Sequence, residues 1–176
     1  AAENGAKIYV INPVGVEVVN FDFAEKVIYT GNNLDALKEI AKYLVDEKDN
    51  LSLTNLLELK KSLENVFVSD EIKEVASAYN NAKKAMIVFQ ENVLSVDAAT
   101  MIGNIALVSN HIGAPRNGIV QIKGKNNSQG LVDMGIDKGI EEMANVKALL
   151  CFGEDHCVLG DDILDNLEFV MTVDTN

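Results

Sequence analysis

A chain of 176 residues with 48% hydrophobic content suits one domain and can bury a core without disulfides or metals. Its formal net charge of −12 argues against a nucleic-acid surface, which needs clustered Lys and Arg, and against an anionic membrane. No run reaches the roughly 18 apolar residues of a membrane-spanning helix, and no basic segment followed by an apolar one marks a secretory signal. Cys151 and Cys157 make no disulfide framework, so a reducing, cytoplasmic setting is expected. The opening AAENG, without Met, runs straight toward a strand and reads as a boundary inside a longer protein.

Lys7–Ile11 (KIYVI) has the β-branched, apolar character of a buried strand, ended by Asn12-Pro13. Lys26–Tyr29 predicts a second strand, closing at Thr30-Gly31-Asn32-Asn33, a loop suited to a helix N-terminus. A helix follows, with Leu34, Leu37, Ile40, Ala41, Leu44 and Val45 on one face and Lys48 near its end. Helices are expected over Thr54–Leu63 and over Asp70–Ala82. The second has Ser69 as cap, Asp70 and Glu71 in its first turn, and Lys83-Lys84 beyond it. Ile72, Val75, Ala76 and Tyr79 form its buried stripe.

Ala85–Phe89 (AMIVF) reads as a central strand. Asp97 is the expected cap of a largely apolar, buried helix, Ala98–Asn110, stopped by Gly113 and Pro115. Gly113–Gly135 is glycine- and amide-rich, strand-like only over Ile119–Ile122, and longer than an ordinary connection, so it reads as a functional loop. A weak helix over Lys138–Ala144 leads to a buried strand, Val146–Phe152, and then to Gly153-Glu154-Asp155-His156. A short helix over Asp161–Leu167 and a strand at Phe169–Val173 complete the chain. Strands alternating with helices imply an α/β fold with a largely parallel sheet, helices on both faces, in one domain over 1–176. Such sheets bind ligands at the carboxyl ends of their strands.

Three stretches stand at those ends: Asn12-Pro13, Gly31–Asn33 and Gly153–His156. Backbone amides at a helix start can hold a phosphate or a hydroxyl, although turns and caps favour the same residues. Asn126, Asn127, Ser128 and Gln129 offer uncharged donors and acceptors suited to a polar heterocycle, against the plain alternative of a solvated loop. Neither GxGxxG nor GxxxxGK[ST] occurs. Cys151, His156 and Cys157 lack the spacing of a metal site, and no residue stands out as catalytic.

Beyond Lys84 the order is AMIVF, a helix with Asn104-Ile105-Ala106-Leu107, then HIGAPRNGIVQIKGKNNSQGLVDMG. This resembles the molybdopterin oxidoreductase family, whose pattern N-x-A-L…G-x-I-G-x-P-G-x-G…G-x-N-N-x-Q-G-x-x-D-M-G is met at Gly113, Pro115, Gly118, Gly124, Asn126, Asn127, Gln129, Gly130, Asp133, Met134 and Gly135. GAKIYVINP, FAEKVIYTGNNLDALKEI and VKALLCFGEDH resemble further strand ends of that family. The resemblance implies a Rossmann-like lobe of a larger subunit, in which such a lobe holds a guanosine end of molybdopterin guanine dinucleotide. It implies Asn12, Pro13, Gly31, Asn33, Asn126, Asn127, Gln129, Gly130, Gly153 and Glu154 as cofactor-binding residues. It also implies iron–sulfur clusters elsewhere in the parent, and other domains and subunits of a redox complex as partners.

Asn12 and Asn33 stand where the family has carboxylates, and Gly153-Glu154-Asp155-His156 replaces G-E-N-P. A buried hydrogen-bond mismatch costs about 1–3 kcal/mol, so two such changes would weaken a nucleotide roughly a hundredfold. The preferred reading is therefore a scaffold lobe, its cofactor lost, like the large iron–sulfur subunit of NADH-quinone oxidoreductase. A cofactor-holding lobe of a formate dehydrogenase-like enzyme is the alternative, and an independent nucleotide-binding or interaction domain is a third.

Overall fold

The computed structural model describes residues 1–15, 21–48, 55–136, 139–143, 145–153 and 159–174. The chain divides into two compact units, Ala1–Gly124 and Lys125–Asn176. The fold is α/β and Rossmann-like, and every strand pair among the described residues is parallel.

In unit 1, β1 (Tyr9–Pro13) and β2 (Lys26–Thr30) pair from Tyr9 with Lys26 to Pro13 with Thr30. Next come α1 (Asn33–Asp46), α2 (Leu56–Ser62) and α3 (Asp70–Asn81). The unit ends in a β–α–β element: β3 (Met86–Gln90), α4 (Val96–Ser109) and β4 (Gly118–Ile122). The apolar spacing of α1 buries Ala36, Leu37, Ile40, Ala41, Leu44 and Val45 in one core with Ile102, Ile105 and Val108 of α4 and with Ile72, Val75 and Ala76 of α3. Each fully buried Leu or Ile stabilises by roughly 1.5–3 kcal/mol, so this three-helix seam is the main source of the unit's stability. At its edge the Lys48 ammonium donates to the Val108 carbonyl at 2.7 Å, tying the end of α1 to the end of α4.

Unit 2 carries α5 (Ser128–Asp133), a 3-10 turn (Ile140–Met143), β5 (Ala148–Phe152), α6 (Asp161–Leu164) and β6 (Phe169–Val173). β5 and β6 run parallel, Ala148 opposite Phe169 and Phe152 opposite Val173. Among its described residues only Leu159 and Ile163 are buried hydrophobics.

Several sequence expectations need correction. Asn12 and Pro13 are not beyond β1 but form its last two residues, because a strand terminus tolerates a proline that lacks an N–H. Ser95, not Asp97, caps α4, its hydroxyl accepting from the Ala98 amide at 3.2 Å. Leu107 of that helix faces outward. Ser69 holds the cap position of α3, but its hydroxyl donates to Glu39 at 2.7 Å rather than serving the helix. Of the strands expected to be buried, β1 is half-buried throughout, and β3 and β5 alternate between half-buried and exposed, with Val88, Leu150 and Phe152 exposed. The segment Gly113–Gly135 is not one loop, since it contains both β4 and α5. Thr54, Lys138 and Ala144 lie outside the described residues.

Candidate functional site

The parallel register of β1 and β2 brings two of the predicted stretches together. Pro13 lies opposite Thr30, and the Val14 amide donates to the Thr30 carbonyl at 2.8 Å, so Asn12-Pro13 and Gly31–Asn33 share one carboxyl-end rim. The Asn12 Nδ2 donates to the Pro13 carbonyl at 3.1 Å. Beyond β2 the turn is held by its own side chains. Thr30 Oγ1 donates to the Asn32 carbonyl at 2.9 Å and accepts from the Asn32 amide at 3.2 Å. Asn32, outside the expected set, is the residue that caps α1: its Oδ1 accepts from the Leu34 amide at 2.9 Å. Its signal was present in the sequence, as Asn is among the preferred caps.

Asn33 then opens α1, half-buried, with its Oδ1 enclosed and meeting no hydrogen-bond donor among the described residues. A buried acceptor left unpaired costs about 1–3 kcal/mol, so this oxygen suits an external N–H or O–H donor. The positive end of the α1 dipole lies beside it and favours a ligand with negative or hydroxyl character. Gly31 is exposed and leaves the approach open.

The second set is local to unit 2. Asn127 occupies the left-handed cap of α5 at φ 62°, with Asn126 exposed before it. Ser128 Oγ donates to the Lys125 carbonyl at 3.0 Å, and Gln129 Nε2 donates to Asp133 at 2.8 Å along the helix. Gln129 is therefore engaged within α5 rather than extended on an open loop. A Cβ at Gly130 would lie 2.2 Å from Asn127 Oδ1, so the exposed Asn127 side chain would have to turn aside. Gly153 closes β5 at φ 69°, its amide donating to the Val173 carbonyl at 2.8 Å. Glu154, like Asp155, His156 and Cys157, lies outside the described residues. Of the motif's other positions, Gly118 opens β4 at φ 122°, a conformation a side chain would strain. Arg116 stands at a glycine of the motif and takes the left-handed conformation itself, at φ 68°.

The chemistry of the remaining polar groups is structural. His111 is buried, its Nε2 donating to the Ala82 carbonyl at 2.9 Å and its ring edge-to-face with Tyr79 at 4.7 Å. Lys123, just past β4, pairs with Glu91, just past β3, at 3.4 Å, a strand-end cation that sequence reasoning missed. The Glu74 hydrogen bond, foremost, raises the Lys26 ammonium above its usual range. Burial lowers Lys48, and burial raises the Tyr79 phenol, partly offset by the Ser109 hydroxyl. None of these three belongs to the rim at Pro13 and Thr30. Among the described residues no cluster of His, Cys, Asp and Glu suits a metal ion, and no helix is long and apolar enough to cross a membrane.

No protein-family model matches the chain. Individual proteins do. It is 27% identical over 155 residues to the F420-dependent formate dehydrogenase 2 subunit alpha of Methanococcus maripaludis, covering 77% of this chain and 23% of that protein. It is 25% identical over 155 residues to formate dehydrogenase H of Escherichia coli, covering 77% and 22%. The chain is similar to formate dehydrogenases over most of its length. A third relative, the F420-dependent formate dehydrogenase subunit alpha of Methanocaldococcus jannaschii, is 29% identical over 156 residues, covering 77% and 23%. The chain thus spans under a quarter of the length of these formate dehydrogenase relatives. None of the three is an NADH-quinone oxidoreductase subunit.

Proposed function

We propose that the chain is a cofactor-holding lobe of the large subunit of a formate dehydrogenase-like molybdoenzyme. In this reading the rim formed by Asn12, Pro13, Gly31 and Asn33 takes a guanosine end of molybdopterin guanine dinucleotide. The observation that carries it is the enclosed, unpaired Oδ1 of Asn33 at the N-terminus of α1, where an acceptor awaits a donor such as a guanine N–H or a ribose hydroxyl. Asn126, Asn127, Gln129 and Gly130 are proposed cofactor-binding residues on the strength of the motif they form, and Gly153 and Glu154 on that of the strand end they share with the family. When bound, the cofactor supplies the redox-active metal. The residues of this chain bind and orient its nucleoside and perform no electron transfer themselves. Iron–sulfur clusters and partner subunits belong to other parts of the assembly, which we place in the cytoplasm.

Titrating the chain with GMP tests this reading. Binding that weakens fivefold or more in Asn33→Ala, with the melting temperature unchanged, supports it. Absence of binding at millimolar GMP overturns it in favour of the second reading, a scaffold that has lost its nucleotide, as in a quinone-reducing complex. That second reading draws on Asn12, whose amide already donates to Pro13, and on Gln129, already held by Asp133.

A further inference from the structure

At the amino-terminal ends of β3 and β4 the chain gathers positive charge. Lys84 Nζ donates to the Pro115 carbonyl at 3.2 Å, the Ala85 amide donates to Asn117 Oδ1 at 2.9 Å, and the Gly118 amide donates to the Ala85 carbonyl at 3.1 Å. These bonds bring Lys83, Lys84 and Arg116 to one exposed surface, together with exposed Ile112 and Pro115. Lys7, Lys26, Lys42, Lys73, Lys123 and Lys147 each face a carboxylate, whereas none of these three cations pairs with a described one. Neither flanking stretch, 75–90 or 98–132, contains Asp or Glu, in a chain of net charge −12.

The ends of α3 and α4 meet here, and their carbonyl dipoles account for a cation at Lys83 or Lys84. They do not account for Arg116, which holds its guanidinium on left-handed backbone at φ 68°, where a non-glycine residue is strained. We propose that Lys83, Lys84 and Arg116 form a docking patch for a carboxylate-rich protein surface. Arg beside apolar side chains is the composition of a protein interface, while three cations fall short of a nucleic-acid footprint. At physiological ionic strength the screening length is about 8 Å, so exposed acidic groups farther from the patch than that are largely screened. The inference does not depend on the cofactor role.

The test measures anisotropy of a fluorescein-labelled oligoglutamate peptide with the full 176-residue chain in physiological salt. Arg116→Gly should weaken binding about fivefold while raising the melting temperature by about 2–4 °C, because the strain is relieved. Arg116→Asn, which also tolerates the left-handed conformation, should repeat the loss of affinity should the glycine variant fold poorly. Lys83→Gln with Lys84→Gln should weaken binding further, and the control pair Lys60→Gln with Lys61→Gln should leave it unchanged. Equal loss in the control pair, an oligonucleotide bound as tightly as the peptide, or no measurable binding would each overturn the proposal.

Discussion

Unit 1 hides Leu44, Leu63, Ile102, Ile105 and Val108 almost completely, whereas the described part of unit 2 buries only Leu159 and Ile163 and leaves Leu150 at 58% and Phe152 at 66% exposure. Both units contain apolar parallel strands of similar composition, so strand sequence does not explain the contrast. Helices do. In unit 1, α1, α3 and α4 interlock over one seam, while in unit 2 the four described residues of α6 contribute one buried side chain, Ile163. A two-stranded parallel sheet is marginal without such cover. Burial in an α/β protein is thus a property of the layer above a strand as much as of the strand itself.

The strongest way to break this comparison is at the seam. Leu44→Ala should destabilise by about 2–5 kcal/mol, read from the denaturant midpoint, because the surroundings of a fully enclosed leucine cannot collapse into the space it leaves. A loss below about 1 kcal/mol would show that the seam is not the stabilising element. Asn32→Ala, which removes the α1 cap, should lower stability by about 1 kcal/mol in the same measurement. Leu150→Ala, in the exposed face of β5, should stay within about 0.5 kcal/mol of the parent, and a larger loss would mean that this face is covered in solution.

Alkaline pH sharpens the contrast more finely. Burial raises the Tyr79 phenol, so the folded state favours the protonated form. The resulting stability is complete below the ordinary value near 10 and is lost as pH rises through the raised one. Lys48, lowered by burial, acts in the opposite sense: its desolvation weighs on the fold below its depressed value and is relieved as pH climbs toward 10.5. Lys48 is common to the parent and Tyr79→Phe, so their difference isolates the phenol. Thermal melts above pH 10 should show the parent losing stability relative to Tyr79→Phe, and parallel curves would remove Tyr79 from the account.

Unit 1 was largely legible in the sequence because α1 repeats apolar residues at helical spacing from Leu34 to Val45, and all but half-buried Leu34 are buried. What escaped was decided by partners rather than by local pattern. The runs around Val88 and Leu150 have the composition of interior strands, yet each presents alternate residues as exposed among the described ones. α5 escaped because its six residues include Ser and Gly, poor helix formers, and its start depends on a left-handed Asn127. Ser95 and Asp97 are both good caps, and the chain's turn chose between them. At the candidate site, Asn12-Pro13 and Gly31–Asn33 were recognisable as strand ends, and the parallel register unites them. The orphaned oxygen of Asn33 is a matter of enclosure that no one-dimensional pattern records.

The reciprocal bonds between Thr30 and Asn32, with Asn32 in turn gripping the Leu34 amide, bear on the kinetics of recognition. A loop already clasped in this way surrenders little disorder when a guest arrives. Encounter at that rim should follow a single fast phase whose rate scales with guest concentration, without a slow rearrangement behind it. Cutting the clasp with Thr30→Val would charge that ordering to each binding event and slow capture.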